Sequence, residues 1–217
     1  MDEGWASAEF AGAELGDQRF NKTVARNVER LAGQPGVSFS AALGHDGRQA
    51  FSRLCQRGLR AEQMLGGHAA QTAQRCWEQP DVLAIQDTTA VRIDSRGRAV
   101  LGPLNNRSNA TRGLQWHTLL GVTPGGEVLG LLGALCWSRP TEGGATAATR
   151  RSRSLADKES SKWLWGLERT SALLAGGPRV LVVCDREGDV YETLTADRPD
   201  NIHWLVRAAQ ARKVQVH

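Results

Sequence analysis

The sequence predicts an α+β/α/β fold with two parts, a helical domain over residues 1–78 and a mixed-sheet domain over residues 79–217. Three observations lead to this fold class. Apolar residues recur every three to five positions in the first part, as they do in amphipathic helices. After Pro80 the chain changes to short, β-branched apolar runs, which are typical of strands. A helical pattern then separates two such runs, as expected for parallel strands joined by a crossover helix.

Three helices are predicted in the first part. The first covers residues 7–31, breaks near Gly16 and ends at residues 33–36. The second covers about 47–56 and the third 60–77. The first helix carries a basic face, formed by Arg19, Lys22, Arg26 and Arg30. A second basic run accompanies the next helix and its turn, formed by Arg48, Arg53, Arg57 and Arg60.

The second part is predicted to begin with a buried strand over residues 81–93, followed by a polar loop over 94–113. Next comes a hairpin with strands over 114–123 and 128–137. After a polar stretch, the remaining elements are a helix over 158–174, a strand over 179–184, a short helix over 189–196 and a last strand over 202–208.

Two aspartates occur on the predicted apolar strands, where an unpaired charge would be costly to bury. Asp87 lies within the strand over 81–93, and Asp185 directly follows the strand over 179–184. A right-handed crossover would place these strands side by side, so that the two carboxylates converge. Carboxylates without a nearby histidine or thiolate suit Mg²⁺ or Mn²⁺, which serve in-line phosphoryl transfer. The alternative is that each aspartate only caps a turn or a following helix.

The positive charge of the chain is carried mainly by arginine. Only four of the 27 basic residues are lysine, the net charge is +4, and the pI is near 9.2. The donor fork of arginine matches phosphate oxygens and suits a nucleic-acid partner, although a GC-rich genome would give the same composition. The four cysteines form no CxxC pair, which argues against a zinc site or a disulfide framework and favours a reducing cytoplasm. The chain shows no secretory signal or membrane span, so a soluble protein is expected.

Five strings of the sequence occur together in the order found in one transposase family. They are AELGDQR near the start, LAIQDTT around Asp87, RGLQWHTLL around His117, KESSKW over residues 158–163 and VCDREGD around Asp185. With these strings the chain resembles the bacterial DDE transposases of the IS-four family, most closely the Tn-five-like branch, from Trp5 to about Arg207. The resemblance implies a helical N-terminal DNA-binding domain followed by a ribonuclease-H-like core.

The resemblance also implies a catalytic site. Asp87 and Asp185 match the first and second catalytic aspartates of the family, which hold Mg²⁺ or Mn²⁺. The third carboxylate of the family, a glutamate in a Tyr-Arg-Glu-Lys signature that follows a β-rich insertion, has no match in this sequence. Glu187 and Glu192 are poor substitutes because they belong to the loop and helix after Asp185. We therefore expect an incomplete ribonuclease-H-like core in a truncated chain that is inactive alone.

Several further residues each have two interpretations. Arg186 and Glu187 follow the second aspartate, where the family has its active site, or they form a surface ion pair. His117 is either a packed core histidine or a DNA contact near the scissile phosphate. Lys158 and Lys162, four residues apart on one predicted helix, either contact the DNA backbone or face solvent.

Arginines at both ends of the chain are further candidates for contacts with DNA. Arg207 aligns with a family arginine near the DNA path. The basic face of the first helix, Arg19, Lys22, Arg26 and Arg30, is expected to bind the transposon-end duplex through its phosphates. The alternative for these four residues is a solvated helix face.

The first functional hypothesis is a cut-and-paste DNA transposase that uses Mg²⁺-dependent phosphoryl transfer at transposon ends. Two alternatives stay open, namely a non-catalytic DNA-binding or inhibitory transposase remnant and a metal-dependent nuclease of the same fold. The expected partners are double-stranded DNA at the transposon ends and a full-length transposase, without a membrane. The expected location is the bacterial cytoplasm, in association with the nucleoid.

Overall fold

A computed structural model describes residues 4–58, 60–94, 100–105, 108–141 and 158–211. The contacts within it divide the chain into two compact units, Met1–Thr72 and Ala73–His217. The division falls within the helix Ala61–Trp77, shortly before the boundary expected from the sequence. The two units are described separately below.

Helices make up the first unit. They are α1 (Trp5–Glu9), α2 (Gln18–Ala32), α3 (Phe39–Cys55) and the beginning of α4 (Ala61–Trp77). The chain breaks between α1 and α2 at Gly16, as predicted, because this residue adopts a φ of 78° that favours glycine. The side chain of Asp17 caps α2 by accepting a hydrogen bond from the Arg19 N–H at 2.9 Å.

Helix α3 begins at Phe39, well ahead of the start predicted near residue 47. Its N-cap Ser38 accepts a hydrogen bond from the Ala41 N–H at 3.3 Å. The helix then kinks at Gly44, where φ is 65° and ψ is −172°. The glycines in this stretch interrupt the apolar pattern, so the sequence predicts only the part after the kink. The core of the unit contains Phe10, Leu15, Val24 and Leu54.

The second unit is built around a six-stranded mixed sheet. Its strands are β1 (Asp81–Arg92), β2 (Pro103–Asn105), β3 (Ser108–Val122), β4 (Val128–Trp137), β5 (Arg179–Cys184) and β6 (Ile202–Val206). Strand β3 pairs antiparallel with β1, β2 and β4, and β5 pairs in parallel with β1 and β6. The predicted fold class is therefore confirmed: helices are followed by a mixed sheet, consistent with a ribonuclease-H-like core.

The polar loop predicted over residues 94–113 was wrong in part. Strand β2 and the start of β3 lie within this range and pair with each other. Strand β1 continues past the end of β5 and pairs with β3 as far as Arg92 and Gly113. The polar residues of the range do not alternate with apolar ones, so the sequence lacks the strand pattern here. The actual hairpin is therefore longer than the predicted one.

Helix α5 (Ser161–Leu174) covers one face of the sheet. Trp163 and Leu167 of α5 form a buried cluster with Val82 of β1 and Val182 of β5. Full burial of a leucine or valine side chain contributes roughly 1.5–3 kcal/mol to folding. After β5 come a 3₁₀ helix (Arg186–Gly188) and α6 (Tyr191–Leu194). None of the described helices has the length and apolar character needed to cross a membrane.

Candidate functional site

Asp87 and Asp185 lie at the same level of the sheet. The parallel ladder of β1 and β5 pairs Ile85 with Val183. Asp87 and Asp185 each follow two residues after this last pair, and the backbone of Asp185 is still extended at φ −74° and ψ −171°. Neighbouring strands are about 4.8 Å apart, and residues two positions apart share a face. The register thus puts both exposed aspartates on the face of the sheet away from α5.

Arg207 continues this row on the next strand. Strands β5 and β6 are in parallel register at Cys184 and Val206. One residue further, the Arg207 N–H donates to the Cys184 carbonyl at 3.2 Å, which keeps the exposed Arg207 beside Asp185. Arg207 therefore follows β6 at the level where Asp185 follows β5.

Asp189 stabilises the chain that follows Arg207. The Oδ2 atom of Asp189 accepts hydrogen bonds from the backbone N–H groups of Ala209 and Gln210, at 2.7 and 2.8 Å. The residue itself is 9% exposed. Sequence reasoning gave Asp189 no role, although it is the last acid of the VCDREGD string.

Asp185 has a structural role as well. Its Oδ1 atom accepts a hydrogen bond from the Glu187 N–H at 2.8 Å and so caps the 3₁₀ helix that follows β5. The capping alternative raised from the sequence is therefore present in the structure, together with an exposed side chain. Arg186 and Glu187 are both exposed, and the carboxylate of Glu187 forms an ion pair with Lys162 of α5.

Lys162 of α5 forms that ion pair. Its ammonium lies 3.3 Å from the Glu187 carboxylate and 5.0 and 5.9 Å from the ring centroids of Trp163 and Trp137. The residue is only 8% exposed, so it does not lie on a solvated helix face. Lys158 lies before the start of α5 and is half-buried, so the two lysines do not share one helix face.

His117 lies fully buried beneath Asp87. Its Nδ1 atom is 2.9 Å from the hydroxyl of Thr88, and its Nε2 atom is 3.0 Å from Oε1 of Gln86. The ring meets Trp163 edge-on at a centroid distance of 5.0 Å. Of the two interpretations raised from the sequence, the structure places His117 in the core.

Burial lowers the pKa of His117 to about 4, because the charged imidazolium would lose its hydration. The positive charge of Lys162 lowers the pKa further, while a hydrogen bond with the Asp87 backbone raises it. His117 is therefore neutral at physiological pH, with one ring nitrogen as donor and the other as acceptor.

A second ion pair borders this end of the sheet. Arg139 follows β4 and binds both carboxylate oxygens of Glu159, at 2.5 and 2.7 Å. Its guanidinium also donates to the Leu104 carbonyl. Arg139 lowers the pKa of Glu159, chiefly through these hydrogen bonds, so the carboxylate stays ionised. Sequence reasoning missed both residues, since only the fold brings them together.

In the first unit, the four predicted basic residues of α2 have different surroundings. The guanidinium of Arg19 pairs with Asp17 at 2.9 Å, and Arg30 donates to the Leu43 carbonyl at 3.1 Å. Lys22 and Arg26 are exposed. All four remain at the surface, but two are partly engaged within the unit.

Residues 2–50 match the protein-family model described as transposase DNA-binding. The matched segment contains α1, α2 and most of α3. The match supports a transposase or DNA-binding role for the chain, with DNA as its partner. It does not distinguish among transposase families.

The transposase DNA-binding segment ends on α3, which presents a polar stripe after its kink. His45, Gln49 and Arg53 follow one another at intervals of four residues and are all exposed. Their side chains are linked, since His45 Nε2 is 2.9 Å from Gln49 Nε2 and Arg53 donates to Gln49 Oε1 at 3.3 Å. Sequence reasoning noted the arginines here but named no site, although the interval of four residues was visible.

Proposed function

We propose that the chain is a DDE-type transposase polypeptide whose first unit binds transposon-end DNA. The main support for this proposal is the match of residues 2–50 to the transposase DNA-binding model. The surface of the unit agrees with this function, because Lys22 and Arg26 of α2 are exposed and their charges are available to phosphates.

We assign base contacts to the polar stripe of α3, defined as His45, Gln49 and Arg53. An α-helix fits the major groove of B-form DNA. In that groove arginine recognises guanine and glutamine recognises adenine through paired hydrogen bonds. The hydrogen bonds among the three side chains orient them before DNA arrives, which lowers the entropy cost of binding.

A mobility-shift titration at several salt concentrations tests this assignment, with a duplex that carries the terminal repeats of the element. Removing Lys22 and Arg26 should weaken binding to all sequences and reduce the salt slope by about 1 per lost phosphate contact. Gln49→Ala should instead reduce the preference for the terminal repeat while the slope stays unchanged. Arg179→Ala, which removes an exposed arginine of the second unit, is the control. Equal binding by all variants would refute the DNA-binding surface.

In the second unit we propose that Asp87 and Asp185 hold a Mg²⁺ or Mn²⁺ ion. Support comes from the register, which places two exposed carboxylates on one face of neighbouring strands, with oxygen ligands that such ions prefer. A bound ion would supply activation of a water or 3′ hydroxyl in phosphoryl transfer. Arg207 beside Asp185 would bind the phosphate of the DNA strand.

The number of ligands limits the expected activity. In the part of the chain that the structure describes, no three His, Cys, Asp or Glu side chains form a group that could hold a metal ion. Glu187, next to Asp185, is turned toward Lys162. With two carboxylates we expect weak metal binding and slow cleavage.

This expectation favours a second candidate function, in which the chain binds DNA without cleaving it, as an inhibitory or remnant transposase does. A third possibility from the same core is a metal-dependent nuclease, which would cleave duplexes with and without the terminal repeat equally. A single cleavage assay separates these three functions.

The assay incubates the full chain with Mn²⁺ and a labelled terminal-repeat duplex or a scrambled one. Asp87→Asn and Asp185→Asn are compared with Asp197→Asn, an exposed aspartate after α6. Nicking at the repeat that needs both site aspartates supports the transposase, and nicking of both duplexes supports the nuclease. Binding without any nicking supports the non-catalytic function.

A further inference from the structure

The imidazole of His117 bridges the two residues that flank Asp87 in β1. Gln86 precedes Asp87 and Thr88 follows it, and both point to the buried face, where each reaches one ring nitrogen at 3.0 or 2.9 Å. The carboxylate between them points to the opposite face. One buried ring therefore holds β1 on both sides of a single exposed aspartate.

The direction of the hydrogen bonds follows from the neighbours. The amide Nε2 of Gln86 donates to the Trp163 carbonyl of α5 at 3.4 Å, so Gln86 Oε1 is left to accept from His117 Nε2–H. The other ring nitrogen, Nδ1, forms its hydrogen bond with the Thr88 hydroxyl. The chain of hydrogen bonds thus runs from Thr88 through His117 and Gln86 to the backbone of α5.

This part of β1 has less backbone support than the rest of the strand. The parallel ladder with β5 ends at Ile85 and Val183, and beyond that point the ladder of β1 within the described residues is the one with β3. On the side where the β5 ladder has ended, hydrogen bonds from the buried side chains of Gln86 and Thr88 to His117 hold the strand instead. A buried, fully paired polar network of this kind restricts the backbone to one arrangement.

We propose that His117 is a positioning residue, which fixes the carboxylate of Asp87 for a divalent cation by bridging Thr88 and Gln86. The proposal rests on the metal site proposed above. Hydrogen-bonding partners behind a metal ligand typically change metal affinity by 10–100-fold when they are removed.

The test removes the Thr88 hydroxyl, since replacing the buried His117 itself risks unfolding the chain. Thr88→Val keeps the shape of the side chain and Thr88→Ser keeps its hydroxyl. Thr170→Val is the matched control, because Thr170 is buried and, among the described residues, its hydroxyl donates to the Gly166 carbonyl of its own helix. Mn²⁺ affinity is measured on the full chain by electron paramagnetic resonance, with Asp87→Asn as the test of the metal site. Amide hydrogen exchange at residues 86–88 is measured without metal.

Thr88→Val should weaken Mn²⁺ binding about tenfold and speed amide exchange at residues 86–88 about tenfold. Thr88→Ser and Thr170→Val should stay within about twofold of wild type for both measurements. The proposal is overturned if Thr88→Val matches Thr170→Val in both. If wild type binds no Mn²⁺, or Asp87→Asn binds it equally well, the metal site is wrong, and amide exchange alone then decides whether His117 holds Asp87 in place.

Discussion

Gly166 of α5 offers the sharpest test of the packing beneath the candidate site. A Cβ atom at this position would lie 2.1 Å from Oε1, 2.3 Å from Cδ and 2.6 Å from Nε2 of Gln86. The amide of Gln86 is 2% exposed and bonded to His117 and Trp163, so it cannot move aside without losing those bonds. Gly166→Ala should therefore destabilise the second unit.

The magnitude follows from three contributions. A buried hydrogen-bonding group without its partner costs about 1–3 kcal/mol, and overpacking adds about 1–3 kcal/mol. Alanine in place of glycine in a helix returns about 1 kcal/mol. The net loss is about 3 kcal/mol, which corresponds to a fall of about 1.5 M in the urea midpoint for a slope of about 2 kcal/mol/M.

Urea unfolding followed by tryptophan fluorescence measures this loss, since only Trp5 of the seven tryptophans lies in the first unit. Gly66→Ala in α4 is the control. Gly66 belongs to the first unit, and no described atom counted around it lies within 4 Å of its Cβ, so Gly66→Ala should not lower the urea midpoint reported by the tryptophans of the second unit. In a Gln86→Ala background the cost of Gly166→Ala should disappear. A Gly166→Ala chain that unfolds at the wild-type urea concentration would refute the packing argument.

Two further predictions concern charges near the site. Because the pKa of His117 is lowered to about 4, the native state binds fewer protons than the unfolded state below about pH 6.5. Stability should therefore fall by roughly 3 kcal/mol as the pH drops from about 6.5 to about 4, and urea titrations should show this fall reduced in His117→Gln. Lys162→Met should change stability by less than about 1 kcal/mol, because apolar packing against Trp163 replaces a desolvated cation. It should also raise the pKa of His117 in NMR titrations; an unchanged pKa would contradict the charge effect of Lys162.

The fold was largely predictable because its signals are local. The apolar spacing of α2 and the β-branched runs of β1 and β5 depend on residues that are close in the sequence. Strand β2 and the first half of α3 were not predicted because they lack such local signals. The former is polar and pairs with distant β3, and the latter is interrupted by Gly44.

The candidate site was predictable in one respect only. Asp87 and Asp185 stood out because each is an acid on an apolar strand, and their strands pair as the crossover rule requires. The sequence could not show that Lys162 is buried between two tryptophans or that His117 bridges Gln86 and Thr88. Such contacts join residues that are far apart in the chain.

The sequence by itself determined the order of helices and strands, the basic character of the first unit and the two strand-end aspartates. Only the tertiary structure decided which charges are available to a partner and which are used inside the fold. The physical reason is that a side chain's charge and pKa depend on burial and on neighbours from other elements. Lys22 and Lys162 look alike in the sequence, but one is exposed on α2 and the other is held by Glu187 and two aromatic rings.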